Sequence, residues 1–258
     1  MRKKVLRKRL VSFVVLLGVT LSAKAATWDY LKAPEGLYKD WNSEQIARVA
    51  LKALEAKAWK KDKTFCSTDP CIPDHKIIGE YAFATFSKKS VLVLTSSIAK
   101  DLGCHSCAPH ISIFQFDKLN GNWRITKSHV DAFQWGSWGE VDPNNIRPIM
   151  LTRSRYALLN KGAYTGQGVT VENLSIQMPI SDRFKEIAKI QTSEDNSGAT
   201  ADGNPSTSWH SKIKLHRGGG LYPMIEVKRA GIRNNAPYRV TEKLKYYGTQ
   251  YRSVGKSK

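Results

Sequence analysis

Ser90-Val91-Leu92-Val93-Leu94-Thr95 and, just before it, Tyr81-Ala82-Phe83-Ala84-Thr85-Phe86 decide the fold class. Both runs are short, rich in branched and aromatic side chains, and shift the hydrophobic period to two, which marks strands. His110-Ile111-Ser112-Ile113-Phe114-Gln115-Phe116 is another. The Asn120-Gly121 pair between it and Trp123-Arg124-Ile125-Thr126 carries a hairpin signal. Further strands are expected over 169–176, 184–191, 208–215, 224–228 and 238–247, separated by Gly, Pro and Asn clusters. The class read from this is mainly β: an antiparallel meander, as a sandwich or an open barrel-like sheet.

One helix precedes the strands. From Glu44 to Trp59 the apolar positions 46, 49, 50, 53 and 54 repeat with helical spacing, Asn42 is placed as N-cap, and Gln45 sits three residues on. Trp28, Tyr30, Tyr38 and Trp41 are expected to pack this helix onto the strands.

Working back toward the start, Arg2-Lys3-Lys4-Val5-Leu6-Arg7-Lys8-Arg9 is followed by an apolar run from Leu10 to Leu21 and by Ala23-Lys24-Ala25. A basic segment, a short apolar core and a small-x-small site read as a secretory signal cleaved before Ala26. The apolar run is well under the roughly 20 residues that span a bilayer, and no second run of that length follows. The domain reading is therefore a cleaved signal at 1–25, a helical segment at 26–64 that packs on the sheet, and a β-rich domain at 65–258. The polar stretch from Thr192 to Pro205 is a boundary or a long loop. The product is expected in the periplasm or secreted, as a monomer with no membrane span after cleavage.

Composition is otherwise that of a globular protein, with 41% hydrophobic and 24% charged residues, but 41 Lys and Arg face 22 Asp and Glu. Removing the seven cations of residues 1–25 leaves a net charge of +12. The excess is uneven: 26–149 carries 16 cations against 14 acids, whereas 206–258 carries 12 against Glu226 and Glu242 alone. Charge of one sign concentrated in one segment favours anionic partners, either an acidic protein such as a toxin or hydrolase or an anionic envelope polymer. The residues expected to meet that partner are Lys212, Lys214, Arg217, Arg239, Lys243 and Lys245, with Trp135, Trp138 and Tyr247 as aromatic anchors. Export argues against nucleic acid as the physiological partner.

Cys66, Cys71, Cys104 and Cys107 in an exported chain imply two disulfides, in one of three connectivities. Cys104-His105-Ser106-Cys107 also resembles a redox pair, with an imidazolium placed to stabilise a thiolate, so a thiol–disulfide oxidoreductase is the alternative function. Against it, Ala108-Pro109 leads into strand rather than helix, so the helix dipole that lowers a thiol pKa is missing.

Zinc binding by the cysteines is disfavoured by the 32 residues between the pairs and by an oxidising compartment. The Asp195 to Asn204 loop lacks the bidentate Glu of a calcium loop. Gly162 to Gly168 lacks the Gly-Lys-Ser/Thr ending of a phosphate loop, and neither Gly-x-Ser-x-Gly nor His-Glu-x-x-His occurs. The sequence thus favours a binding protein over an enzyme, with no metal and no cofactor.

Overall fold

The computed structural model describes residues 31–34, 38–55, 73–84, 88–99, 107–137, 139–181, 183–202, 205–218 and 220–257. The proposed signal segment, Trp28, Tyr30, Cys66, Cys71, Cys104, His105 and Trp138 lie outside them.

Helix α1 spans Ser43–Glu55. Asn42 caps it as expected, its Oδ1 accepting the Gln45 N–H at 3.0 Å. Ile46, Ala50 and Leu54, four residues apart, form its buried stripe. They pack with Tyr38 and Trp41 on one face of a four-stranded antiparallel sheet. That sheet is the meander β1 (Pro73–Ala84), β2 (Lys89–Ala99), β3 (His110–Leu119) and β4 (Asn122–Gln134). Glu80 of β1 fixes the helix start, its Oε2 accepting from both the Trp41 indole and the Ser43 hydroxyl. The predicted hairpin joins β3 to β4, with Asn120 at φ 49° and Gly121 at φ 83°, the two left-handed residues of a type I′ turn.

Strand β2 shows why its sequence is an unbroken apolar run. Val91 and Val93 face the helix side, while Leu92 and Leu94 face the opposite cluster, and all four are fully buried. A strand covered on both faces has no polar side to show.

Eight further strands form a second antiparallel meander: β5 (Ile146–Met150), β6 (Tyr156–Gly166), β7 (Val169–Ile180), β8 (Arg183–Asp195), β9 (Ser208–His216), β10 (Met224–Arg233), β11 (Ala236–Tyr247) and β12 (Gln250–Ser257). Between β8 and β9 only three residue pairs form, Ser193 with His210, Glu194 with Trp209 and Asp195 with Ser208. The sheet folds over at this narrow join. Residues of β5–β8 such as Leu159, Ile176 and Ile187 then share one core with Leu215, Ile225, Val227 and Tyr251 of β9–β12. The other face of β5 and β6, through Ile146, Tyr156 and Leu158, packs on Leu92, Leu94, Ile111 and Ile113 of the first sheet. The layers therefore run helix, β1–β4, β5–β8, β9–β12.

The stretch from Thr192 to Pro205 is partly strand: β8 continues to Asp195, and Ser197–Asp202 form a 3-10 turn. Asn196 ties this turn to β9, accepting the Thr207 N–H at 2.7 Å and donating to the Pro205 carbonyl. No helix among the described residues is long and apolar enough to cross a membrane.

A basic strand face as the candidate binding site

The outermost layer, β9–β12, buries one face and leaves the other bare. In β9, Trp209 and Leu215 are buried and Ile213 packs on the core, so period-two alternation turns His210, Lys212, Lys214 and His216 outward. In β10, Ile225 and Val227 point in while Glu226 and Lys228 point out. In β11, Glu242, Leu244 and Tyr246 point in while Arg239, Lys243, Lys245 and Tyr247 point out.

Strand register then assembles these side chains. Lys212 lies opposite Lys228, Lys214 opposite Glu226, and Ala230 opposite Arg239. Glu226 also lies opposite Lys243, and Lys245 opposite Arg252. Seven cations (Lys212, Lys214, Lys228, Arg239, Lys243, Lys245 and Arg252) are exposed on this one face. Glu226 is its one carboxylate among the described residues. Burial alone would raise the Glu226 carboxyl, but Lys228 at 3.3 Å and His216 at 3.7 Å hold it below the ordinary carboxylate range. With strands about 4.8 Å apart and same-face residues about 6.8 Å apart along a strand, the seven cations occupy a rectangle of roughly 14 by 20 Å.

On the inner side of the same strands charge is paired and the backbones approach closely. The Arg229 guanidinium donates to Glu242 Oε2 at 2.9 Å and stands 5.8 Å from the Trp209 ring centroid, with both charged side chains mostly covered. At Gly231 a side chain has no room: the φ is 149° and an added Cβ would come within 2.2 Å of the Ser208 carbonyl oxygen. Glycine there lets β10 lie tight against β9.

Of the residues expected to contact a partner, the structure brings Lys212, Lys214, Arg239, Lys243, Lys245 and Tyr247 to this face. Tyr247 is 49% exposed at its end, with Lys245 Nζ 6.0 Å from the ring centroid. Arg217 lies in the β9–β10 connection and donates to the Met150 carbonyl at 3.1 Å. Trp135 packs in the seam between the two sheets, lying on Gly162, where an added Cβ would be 3.0 Å from the indole. Sequence reasoning missed Lys228 and Arg252. Lys228 follows from the alternation of Met224–Lys228 once Ile225 and Val227 are taken as inward, whereas Arg252 sits in a strand with no apolar period.

Cys107 lies in the segment entering β3, its carbonyl accepting from Gly139 N at 2.8 Å, and it is not a free thiol. Close by, the register of β3 and β4 slips between Ile111 and Ile113, and Asp131 takes a φ of 58°. That slip brings Asp131 Oδ1 to 2.6 Å from His110 Nδ1, while Gln134 Nε2 donates to His110 Nε2 at 2.9 Å. This network places the imidazole proton on Nδ1 and caps the opposite nitrogen, the one a general base would use. The arrangement pins a bulge. A cleft of about 640 Å³ opens where β8 and β9 part, with Lys161, Glu172, Thr192 and Ser211 at its polar wall over Leu159, Leu174 and Ile213. Among the described residues no group of three or more His, Cys, Asp or Glu side chains could hold a metal ion. Comparison with family models, with curated proteins and with solved structures yields no match to this chain.

Proposed function

We propose that the protein is an exported binding protein that captures an anionic partner on the outer face of β9–β12. The observation that carries this is the register: residues far apart in sequence place seven exposed cations against one carboxylate on one sheet face. Such a patch raises the local concentration of an anionic partner and speeds encounter, with strong dependence on ionic strength. Cleavage before Ala26, a periplasmic or extracellular location, a monomeric state and two disulfides among Cys66, Cys71, Cys104 and Cys107 belong to the same reading. Cys107 entering a strand supports a structural role for the cysteines over a redox one.

The test compares two variants of equal net charge against fluorescent poly-L-glutamate. Lys212, Lys214, Lys243 and Lys245 are changed to Glu in one, and the exposed Lys127, Lys161, Lys185 and Lys189 in the other. The reading predicts that only the first loses capture. Equal loss in both would mean that net charge alone is responsible.

A further inference from the structure

The seven cations are not scattered evenly over the face. Arg252 is directly across from Lys245, Lys245 is two residues from Lys243 on the same strand, Lys243 is diagonal to Lys228, and Lys228 is directly across from Lys212. Each step is about 5 to 8 Å, so these five side chains form an oblique band on the order of 20 Å long that crosses all four strands. Lys214 and Arg239 flank it. Glu226 stands beside the band, already held by Lys228 and His216.

Three features narrow the occupant. Five of the seven cations are Lys, a residue depleted in the cores of protein interfaces and suited to phosphate as a point charge. A single aromatic ring, Tyr247 beside Lys245, borders the band at one end, and the exposed Ile232 lies at the opposite end of the sheet, so neither a run of stacking platforms for successive bases nor a clustered apolar wedge for lipid is offered. A line of charges at 5 to 8 Å steps matches a chain with one anion per repeat more closely than it matches a compact acidic surface.

We propose that the band is a lane for a single extended phosphodiester chain, held through its backbone charges alone. This rests on the function proposed above and names its partner class. About four consecutive phosphates cover the band at its spacing.

The probes are glycerol-phosphate oligomers of two, four and eight repeats, titrated by fluorescence anisotropy at several salt concentrations. Affinity is expected to climb steeply up to four repeats and only slowly thereafter. The plot of log K against log salt should slope at about −3, near −0.7 for each of four phosphates neutralised. Lys243→Gln should make that slope shallower by about 0.7. Oligothymidylate and its abasic counterpart of equal phosphate number should bind alike, and phosphatidylglycerol vesicles should bind more weakly than the eight-repeat oligomer. Affinity independent of length, a slope shallower than about −1, or tighter binding to the vesicles would overturn the assignment. Poly-L-glutamate bound as tightly as the oligomers would remove the phosphodiester class and leave the anion-binding face standing. If neither polymer bound, the function proposed above would fall with it.

Discussion

Strands β2–β3 and strands β9–β11 have the same geometry and opposite surroundings. In β2 and β3 both faces are covered, one by α1 and the other by β5–β6, so buried residues fill consecutive positions. In β9–β11 only one face meets the core, and the other carries Lys212, Lys214, Lys228, Arg239, Lys243 and Lys245. The first region shows how the molecule is held together, and the second leaves bare the charged face that is proposed above as the binding surface. A protein needing only solubility has no cause to gather seven cations around one carboxylate in neighbouring register positions while 26–149 stays close to neutral.

The sharpest way to break the comparison is to exchange the effects of the two regions. Changing Lys212, Lys214, Lys243 and Lys245 to Glu should lower affinity for an anionic polymer more than a hundredfold, which exceeds 2.7 kcal/mol, while shifting the melting temperature little. Phe114→Ala in β3, at a fully buried ring, should cost about 3–5 kcal/mol of stability and leave the affinity of the folded fraction unchanged. Denaturant unfolding and binding titrations on both variants check this.

Gly231→Ala tests the link between them. A side chain forced toward the Ser208 carbonyl should cost about 1–3 kcal/mol and, by moving β10 off β9, weaken binding as well.

Acid should act on the first region. Burial opposes ionisation of Asp117, yet hydrogen bonds from Gln115, Ser90 and Thr126 and the charge of Lys88 outweigh it and hold the carboxyl below its ordinary range. The stability this adds is full above the ordinary carboxylate pKa and is lost as pH falls through the depressed folded value. Asp117→Asn should lower the melting temperature at neutral pH and flatten its fall between pH 5 and pH 2. The smallest effect is expected at Glu226→Gln, which removes the one carboxylate from the basic face and should raise polymer affinity a few-fold.

Much of the fold was legible in the sequence because a strand with one or two buried faces prints its period. The helix cap at Asn42, the Asn120-Gly121 turn and nine of the twelve strands carry such signals. The other three are strands whose pattern is erased: β5 is five residues long and contains Pro148, β6 begins buried on both faces and ends in glycine-spaced polar residues, and β12 is a charged edge with no apolar alternation. The candidate site was legible as a charge excess and as parity within β9 and β11. Its continuity was not, since that depends on pairing between strands that no local pattern encodes. Trp135 shows the converse: it was expected among the aromatic anchors of the partner site, but it lies against Gly162 in the seam between the sheets.

The central claim is that binding is localised on the outer face of β9–β12. Amide chemical-shift mapping of the isotope-labelled protein with an anionic polymer tests it most directly. The account predicts that the shifts concentrate on Lys212, Lys214, Lys228, Arg239, Lys243, Lys245 and Arg252 and fade with added salt. Shifts spread over all the exposed cations, or centred on the cleft between β8 and β9, would contradict it.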